Sequence, residues 1–304
     1  MNTSYAICMA FSAAVCLICL FFRLKKRGMR AWTAFAAVPI AAVLAAVLAK
    51  VFYLTLMFHR SLAVYGADAL LRLKADEFSF FGGCVGACLG MALTAKLFHE
   101  NAGKYLDAFA PAGAFALAVA RFAEYYLDML GASGYDTESP FLCRFPFAVA
   151  NEWDEWYLAV FMLEALIALV IGAVFLLKKK EEKYPLLLFL RVGYYLCTAQ
   201  IFCESVRMMG MRWGFVRAEQ LLCGVYIFFA VLYHCLKTRE KSAFKRFWPL
   251  LGVLALIGAL VGVEFALDRT ELPDAFWYGV MLLILVVFGL LENYCVRRRY
   301  KTAN

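Results

Sequence analysis

The 304-residue chain is 64% hydrophobic and 18% charged, with a mean hydropathy of +0.72. Soluble domains run at roughly 45–50% apolar and about 25% charged residues, so a water-soluble globular fold is excluded and an all-α polytopic membrane protein is expected. The net charge of +8 would by itself suit nucleic acid, but the bases sit beside apolar runs, and no nucleic-acid partner is expected.

Taken in chain order, nine apolar stretches are long enough to cross a bilayer, each needing about 20 residues. They lie at about 4–22, 31–58, 78–98, 106–128, 156–177, 184–207, 216–236, 248–267 and 275–296. No basic region precedes the first, which reads as a retained helix and not a signal peptide. Basic clusters follow spans one (Arg23, Lys25, Lys26, Arg27, Arg30), five (Lys178, Lys179, Lys180, Lys183), seven (Lys237, Arg239, Lys241, Lys245, Arg246) and nine (Arg297, Arg298, Arg299, Lys301). With nine alternating spans all four clusters share one side, which the positive-inside rule makes cytoplasmic; the N-terminus is then outside and the C-terminus inside. Spans eight and nine follow a long basic loop and read as an appended hairpin. Of the eleven cysteines only Cys143 lies in a long polar loop, and Cys16 and Cys19, spaced CxxC inside an apolar helix, read as packing residues. His59, His99 and His234 are scattered, so no metal site is expected.

Charged side chains inside apolar spans are costly and mark sites by default. Lys50, Arg121, Glu124, Glu164, Arg191, Glu204 and Arg207 are of this kind. Counting at about 1.5 Å per residue from the span ends puts Lys50, Arg121, Glu164 and Glu204 in the outer leaflet, while Arg191 lies near the inner end of span six. Arg121 and Glu124, Glu204 and Arg207, and Gln200 and Glu204 are three or four apart and share helix faces. The bland reading is a set of ion pairs between helices. The sharper one is a polar pocket in which two guanidinium forks hold an anionic phosphate, most simply a phospholipid headgroup. Gly82, Gly86 and Gly90 recur every four residues at the start of span three, a pattern that suits close helix packing at least as well as ligand approach at Gly82 and Gly83.

The order of motifs from about residue 4 to 236 resembles the prolipoprotein diacylglyceryl transferase family. Ser4-Tyr5-Ala6 is similar to its Trp-Tyr-Gly start, Lys50-Val-Phe-Tyr53 to its Arg-Leu-Gly-Tyr, and Ser79-Phe80-Phe81-Gly82-Gly83 to its Ser-Phe-His-Gly-Gly. Asp107 to Pro111 resembles its Asp-Leu-hydrophobic-Ala-Pro, Arg121-Phe-Ala-Glu124 its Arg-Ile-Gly-Asn, and Leu163-Glu164-Ala165 its Tyr-Glu-Ala. Gln200-Ile-Phe-Cys-Glu204-Ser-Val-Arg207 and Glu219-Gln220 stand where the family has its Arg-to-Arg motif and its Gly-Gln. The resemblance implies a bacterial inner-membrane enzyme, without cofactor and monomeric, that moves diacylglycerol from phosphatidylglycerol to a lipobox cysteine of a prolipoprotein. It also implies a seven-helix core over residues 1–236 and a further basic loop and hairpin over 237–304.

Carried over position by position, the resemblance marks Arg121 and Tyr5 as catalytic, and the chemistry below adds Glu124 and Glu204. It marks Arg121, Arg207, Gln200, Lys50, Gly82, Gly83 and Gln220 as phospholipid-binding. Three departures stand out: the family's histidine is Phe81, its second arginine Gln200, and its asparagine Glu124. The polar motif that follows the asparagine is not recognisable in 127–134. Forming a thioether needs a thiolate and a positive field on the departing phosphate, and Glu204 or Glu124 is the acidic group available to replace the histidine as base. The alternatives are a silent paralogue that binds lipid or precursor and a transporter, against which the absence of an inverted repeat counts.

Overall fold

The computed structural model describes residues 3–70, 77–127, 129–178, 184–208, 212–213 and 216–302. The expected basic residues Lys179, Lys180 and Lys183 lie outside the described residues. The helices are α1 (Thr3–Lys26), α2 (Ala34–Leu56), α3 (Phe58–Tyr65), α4 (Phe80–Leu97), α5 (Ala102–Ala123), α6 (Val160–Leu177), α7 (Leu187–Val206), α8 (Ala218–Lys237), α9 (Ala243–Arg269) and α10 (Asp274–Thr302). Short 3-10 turns and two short hairpins accompany them, β1 (Ala148–Ala150) with β2 (Trp156–Leu158) and β3 (Arg212–Trp213) with β4 (Val216–Arg217). The protein is an all-α polytopic membrane protein in which each expected span corresponds to a helix. Eight, not nine, of these helices are both long and apolar enough to cross by composition alone. The exception is α7, whose apolar character is diluted by Arg191, Gln200 and Glu204.

The chain divides into two compact units, Met1–Val192 with Val206–Glu219, and Gly193–Ser205 with Gln220–Asn304. In the first, α4 lies along α2 at close range because its exposed-backbone stripe faces inward. A Cβ on Gly82 would sit 2.6 Å from the Leu48 carbonyl, and one on Gly86 or Gly90 would collide with the backbone at Leu44 or Ala41. Bare backbone permits such an approach where no hydrophobic force separates helix from lipid. The stripe is therefore a packing device, and Gly83 alone has room beside it, with its nearest neighbour 3.8 Å away.

Helix α5 packs on both α1 and α6, and α1, α2, α4 and α5 enclose a core that includes Leu20, Leu24, Met91, Tyr105 and Ala108. Two polar contacts tie neighbouring helices to α5: Ser12 Oγ of α1 donates to the Ala116 carbonyl at 2.6 Å, and the hydroxyl of Thr33, at the start of α2, meets that of Tyr105 at 3.1 Å. The Asp107 carboxylate accepts from the amides of Leu186 and Phe189, both at 2.8 Å, and so caps the start of α7 from the middle of another helix. A carboxylate suits the positive end of a helix dipole. Among the large apolar residues, Phe11, Val43, Leu89 and Val174 face outward, as a lipid-facing surface requires.

In the second unit, α9 and α10 are joined by only Thr270–Pro273 and form an antiparallel pair, with the Trp248 and Tyr294 rings 5.2 Å apart. Helix α8 closes against the same pair. The Arg246 guanidinium donates to the last carbonyls of α8, Cys235 at 2.9 Å and Leu236 at 2.6 Å, which supplies the donors that a helix C-terminus lacks. Helix α7 joins through Tyr194, whose hydroxyl donates to the Phe288 carbonyl at 3.0 Å.

Candidate functional site

Four charged residues of the first unit converge. Helix α5 carries Arg121 in its last turn and passes directly into a single 3-10 turn that begins at Glu124. The i, i+3 spacing puts the two side chains in contact, and Arg121 Nη1 donates to Glu124. Glu164, one turn into α6, is the hub: its Oε2 lies 3.0 Å from Arg121 Nε and 2.8 Å from Arg207 Nη2. Arg207 also approaches Glu124 at 3.9 Å. The Phe80 ring, at the start of α4, covers the Arg121 guanidinium at 3.5 Å, a stacking that a planar cation tolerates and an ammonium would not match. Two cations and two carboxylates thus share one low-dielectric site. Their side-chain exposures, 3% for Arg121 and Glu164, 12% for Arg207 and 21% for Glu124, show that the cluster opens on its Glu124 side.

The backbone of Arg207 is held as firmly as its side chain. It pairs with Gly134 in an isolated antiparallel bridge, the Met208 amide donates to the Ser133 carbonyl at 3.1 Å, and Arg217 Nη1 donates to the Arg207 carbonyl at 2.7 Å. Gly134 fits this place because a Cβ there would lie 2.8 Å from the Val206 carbonyl. Gly134, at the end of the segment that matched no motif in the sequence, is therefore the bridge partner of a site arginine. Beyond it, β1 and β2 pair Ala148 with Leu158 and Ala150 with Trp156, with Asp136 bridged to Tyr157.

Glu219 reaches the first turn of α4. Its carboxylate accepts from Ser79 Oγ at 3.0 Å and from the Phe81 amide at 3.2 Å, while Ser79 Oγ accepts from the Gly82 amide at 3.2 Å as N-cap. A helix N-terminus binds anions, and this one holds an internal carboxylate. Tyr5, on α1, lies within the electrostatic field of Glu124 and Arg121, where α1 touches the Glu124–Tyr126 turn.

Lys50 is engaged elsewhere in the same unit. It is buried against Glu77, Nζ to Oε2 at 2.8 Å, and lies over the rings of Tyr53 and Phe78 at 5.5 and 5.7 Å. Arg191 lies over the Phe175 ring at 5.5 Å, within the protein.

The second unit carries the remaining expected residues. Gln200 Nε2 donates to Glu204 Oε1 at 3.1 Å along one face of α7, with both side chains buried. Gln220 Nε2 donates to the Ile201 carbonyl at 3.1 Å, to Ser205 Oγ at 2.7 Å and to Glu264 Oε1 at 2.8 Å. Four acidic residues were not singled out as site residues: Glu77, Glu219, Glu264 and Glu292. The last two lie inside apolar spans, so the rule that flagged Lys50 and Arg121 flags them equally. Glu77 and Glu219 sit at span ends, where nothing in the sequence distinguishes a capping carboxylate from a solvated one.

A helical membrane bundle with charges paired in its apolar interior is the class of protein this structure defines. A family model described as prolipoprotein diacylglyceryl transferase matches residues 3–236, and the chain belongs to that family. It is 28% identical over 192 residues, 62% of this chain and 71% of the relative, to the phosphatidylglycerol--prolipoprotein diacylglyceryl transferase of Mannheimia succiniciproducens. No solved structure matches it.

Proposed function

We propose that this protein transfers diacylglycerol from phosphatidylglycerol to the thiol of a lipobox cysteine in a prolipoprotein, in the inner membrane of a bacterium. A carbon–sulfur bond forms at the terminal glyceryl carbon, the carbon–oxygen bond to phosphate breaks, and glycerol phosphate leaves with the electron pair. The thiol proton passes to a carboxylate. The arrangement of Arg121, Glu164 and Arg207 carries this reading. An incoming phosphodiester exchanges with Glu124, the most exposed carboxylate, and receives both guanidinium forks while Glu164 holds them in place.

Glu124, once displaced, stands beside the reacting atoms as one candidate base; Glu204, held by Gln200, is the other. Tyr5 lines the cluster from α1. Lys50, Gln200, Gln220, Gly82 and Gly83 remain proposed headgroup or lipid contacts, and residues 1–236 the transferase core with 237–304 added to it. We also assign α7 as a ninth crossing, because its charges and amides meet protein partners and not lipid. With nine crossings, the basic clusters support an N-terminus outside and a C-terminus in the cytoplasm. The working state is a monomer.

One observation favours a second reading, a catalytically silent lipid-binding paralogue: both arginines are already paired to carboxylates inside the protein. Complementation separates the two. In bacteria depleted of their own transferase, the wild-type chain is expected to restore the gel shift of a reporter lipoprotein, and Arg121→Ala to reduce it by about 10²-fold or more. No shift from a normally inserted wild-type chain would leave the silent paralogue.

A further inference from the structure

The α9–α10 pair has no part in the site proposed above, yet it carries an acidic side chain where apolar residues are the rule. Glu264 lies three-quarters along α9, flanked by Val263 and Phe265. A carboxylate in such a place is costly without donors, and this one has two. Ser205 Oγ and Gln220 Nε2 both donate to Glu264 Oε1, the second at 2.8 Å, and Gln220 Nε2 also donates to Ser205 Oγ at 2.7 Å. Helix α10 adds the Tyr278 hydroxyl, 3.5 Å from the Ser205 carbonyl, and the Tyr278 ring, 6.1 Å from that of Phe202.

The two donors occupy special positions in the chain. Ser205 is the last residue of the second unit before the chain leaves it, and Gln220 is the first on its return. The excursion between them, Val206–Glu219, carries Arg207 and Glu219. Glu264 therefore holds together the two ends of the segment that presents an arginine of the candidate site. We infer that Glu264 is a positioning residue of the transferase, a clasp that closes the Val206–Glu219 segment at its base and fixes where Arg207 is offered to the lipid phosphate.

The α9–α10 pair is then part of the enzyme and not an appended anchor. A carboxylate suits the task because it only accepts, so it can take the hydroxyl and the amide donors on the same oxygen. Holding Ser205, two residues before Arg207, supports the backbone that presents its guanidinium, and precise presentation depends on such support. This inference rests on the role proposed for Arg207.

The test uses the full chain in nanodiscs containing phosphatidylglycerol, with Glu264→Ala, Glu264→Gln and Ser205→Ala. Backbone hydrogen exchange over 206–219 is expected to accelerate about tenfold in Glu264→Ala, less in Ser205→Ala, and to stay near wild type in Glu264→Gln, whose amide oxygen still accepts. In lipidation assays Glu264→Ala is expected to raise the phosphatidylglycerol concentration at half-saturation about tenfold with kcat little changed, since headgroup binding is what a misplaced Arg207 loses.

Unchanged exchange over 206–219 in Glu264→Ala overturns the clasp, whether or not the wild-type chain lipidates the reporter. Acceleration spread over all helices overturns it too, because it would reveal a general loss of fold. If Glu264→Ala does not fold, Ser205→Ala decides: no local acceleration there sinks the inference. Absence of wild-type lipidation together with local opening refutes the transferase reading alone and leaves the clasp standing.

Discussion

Two of the buried charge constellations among the described residues, one from each compact unit, are built differently. In the first, Arg121, Arg207, Glu124 and Glu164 share several contacts, and Glu124 stays partly accessible. In the second, His234 on α8 meets Glu292 on α10 at 3.4 Å, with side chains 1% and 0% exposed. Among the described residues, neither imidazole nitrogen and neither Glu292 oxygen has a hydrogen-bond partner. A multiply bonded, partly open cluster can exchange one partner for a ligand without leaving a charge bare. A sealed pair with no open edge has nothing to exchange with a ligand, and it ties α8 to α10 instead. Burial of charge alone therefore does not mark a site; redundancy of partners and an open edge do.

The sharpest test of that contrast is Glu164→Gln. Removing the hub leaves two buried guanidinium groups sharing Glu124, and a loss of about 5 kcal/mol in stability is expected, read as thermal unfolding in detergent, together with lost lipidation. Next comes His234→Leu, which strands Glu292 and should cost about 3 kcal/mol, while the double change His234→Leu with Glu292→Leu should recover most of it and keep lipidation intact. If that double variant lost lipidation while remaining folded, the two constellations would not differ as argued. The smallest effect is expected from Ser79→Ala. It removes the N-cap of α4 and a donor to Glu219, at about 1 kcal/mol, visible as a modest fall in melting temperature.

The helices were legible because what makes them is local. Runs of apolar residues of sufficient length announce α1, α2, α6, α9 and α10 without reference to anything else in the chain. Helix α7 shows the limit of that reasoning. Arg191, Gln200 and Glu204 weaken its apolar character, and what offsets them comes from elsewhere: Phe175 under Arg191, the Asp107 carboxylate at its start, and Gln200 on Glu204. Motif order carried the family, which the match over residues 3–236 shows.

The sequence also marked Arg121, Glu124, Glu164 and Arg207 as embedded charges, since each is out of place in an apolar run. It could not say that Glu164 is the residue on which both arginines meet, because that depends on α5, α6 and the end of α7 arriving at one point. The glycine stripe suited close helix packing, and the nearness of the Leu44 and Leu48 backbone shows that contact. Lys50 looked like a further cation for lipid, and Glu77, a span-end residue with no distinguishing signal, holds it at 2.8 Å.

By itself, then, the sequence determined the membrane, the helices, the family and which residues are charged inside the bilayer, because hydropathy and motif order are written along the chain. Only the tertiary structure decided the pairings: Glu164 between two arginines, Glu219 on the first turn of α4, Gly134 beside Arg207, and Glu264 between Ser205 and Gln220. Each joins residues tens of positions apart, and in an apolar interior the energy of a charge is set by the partner that packing brings to it.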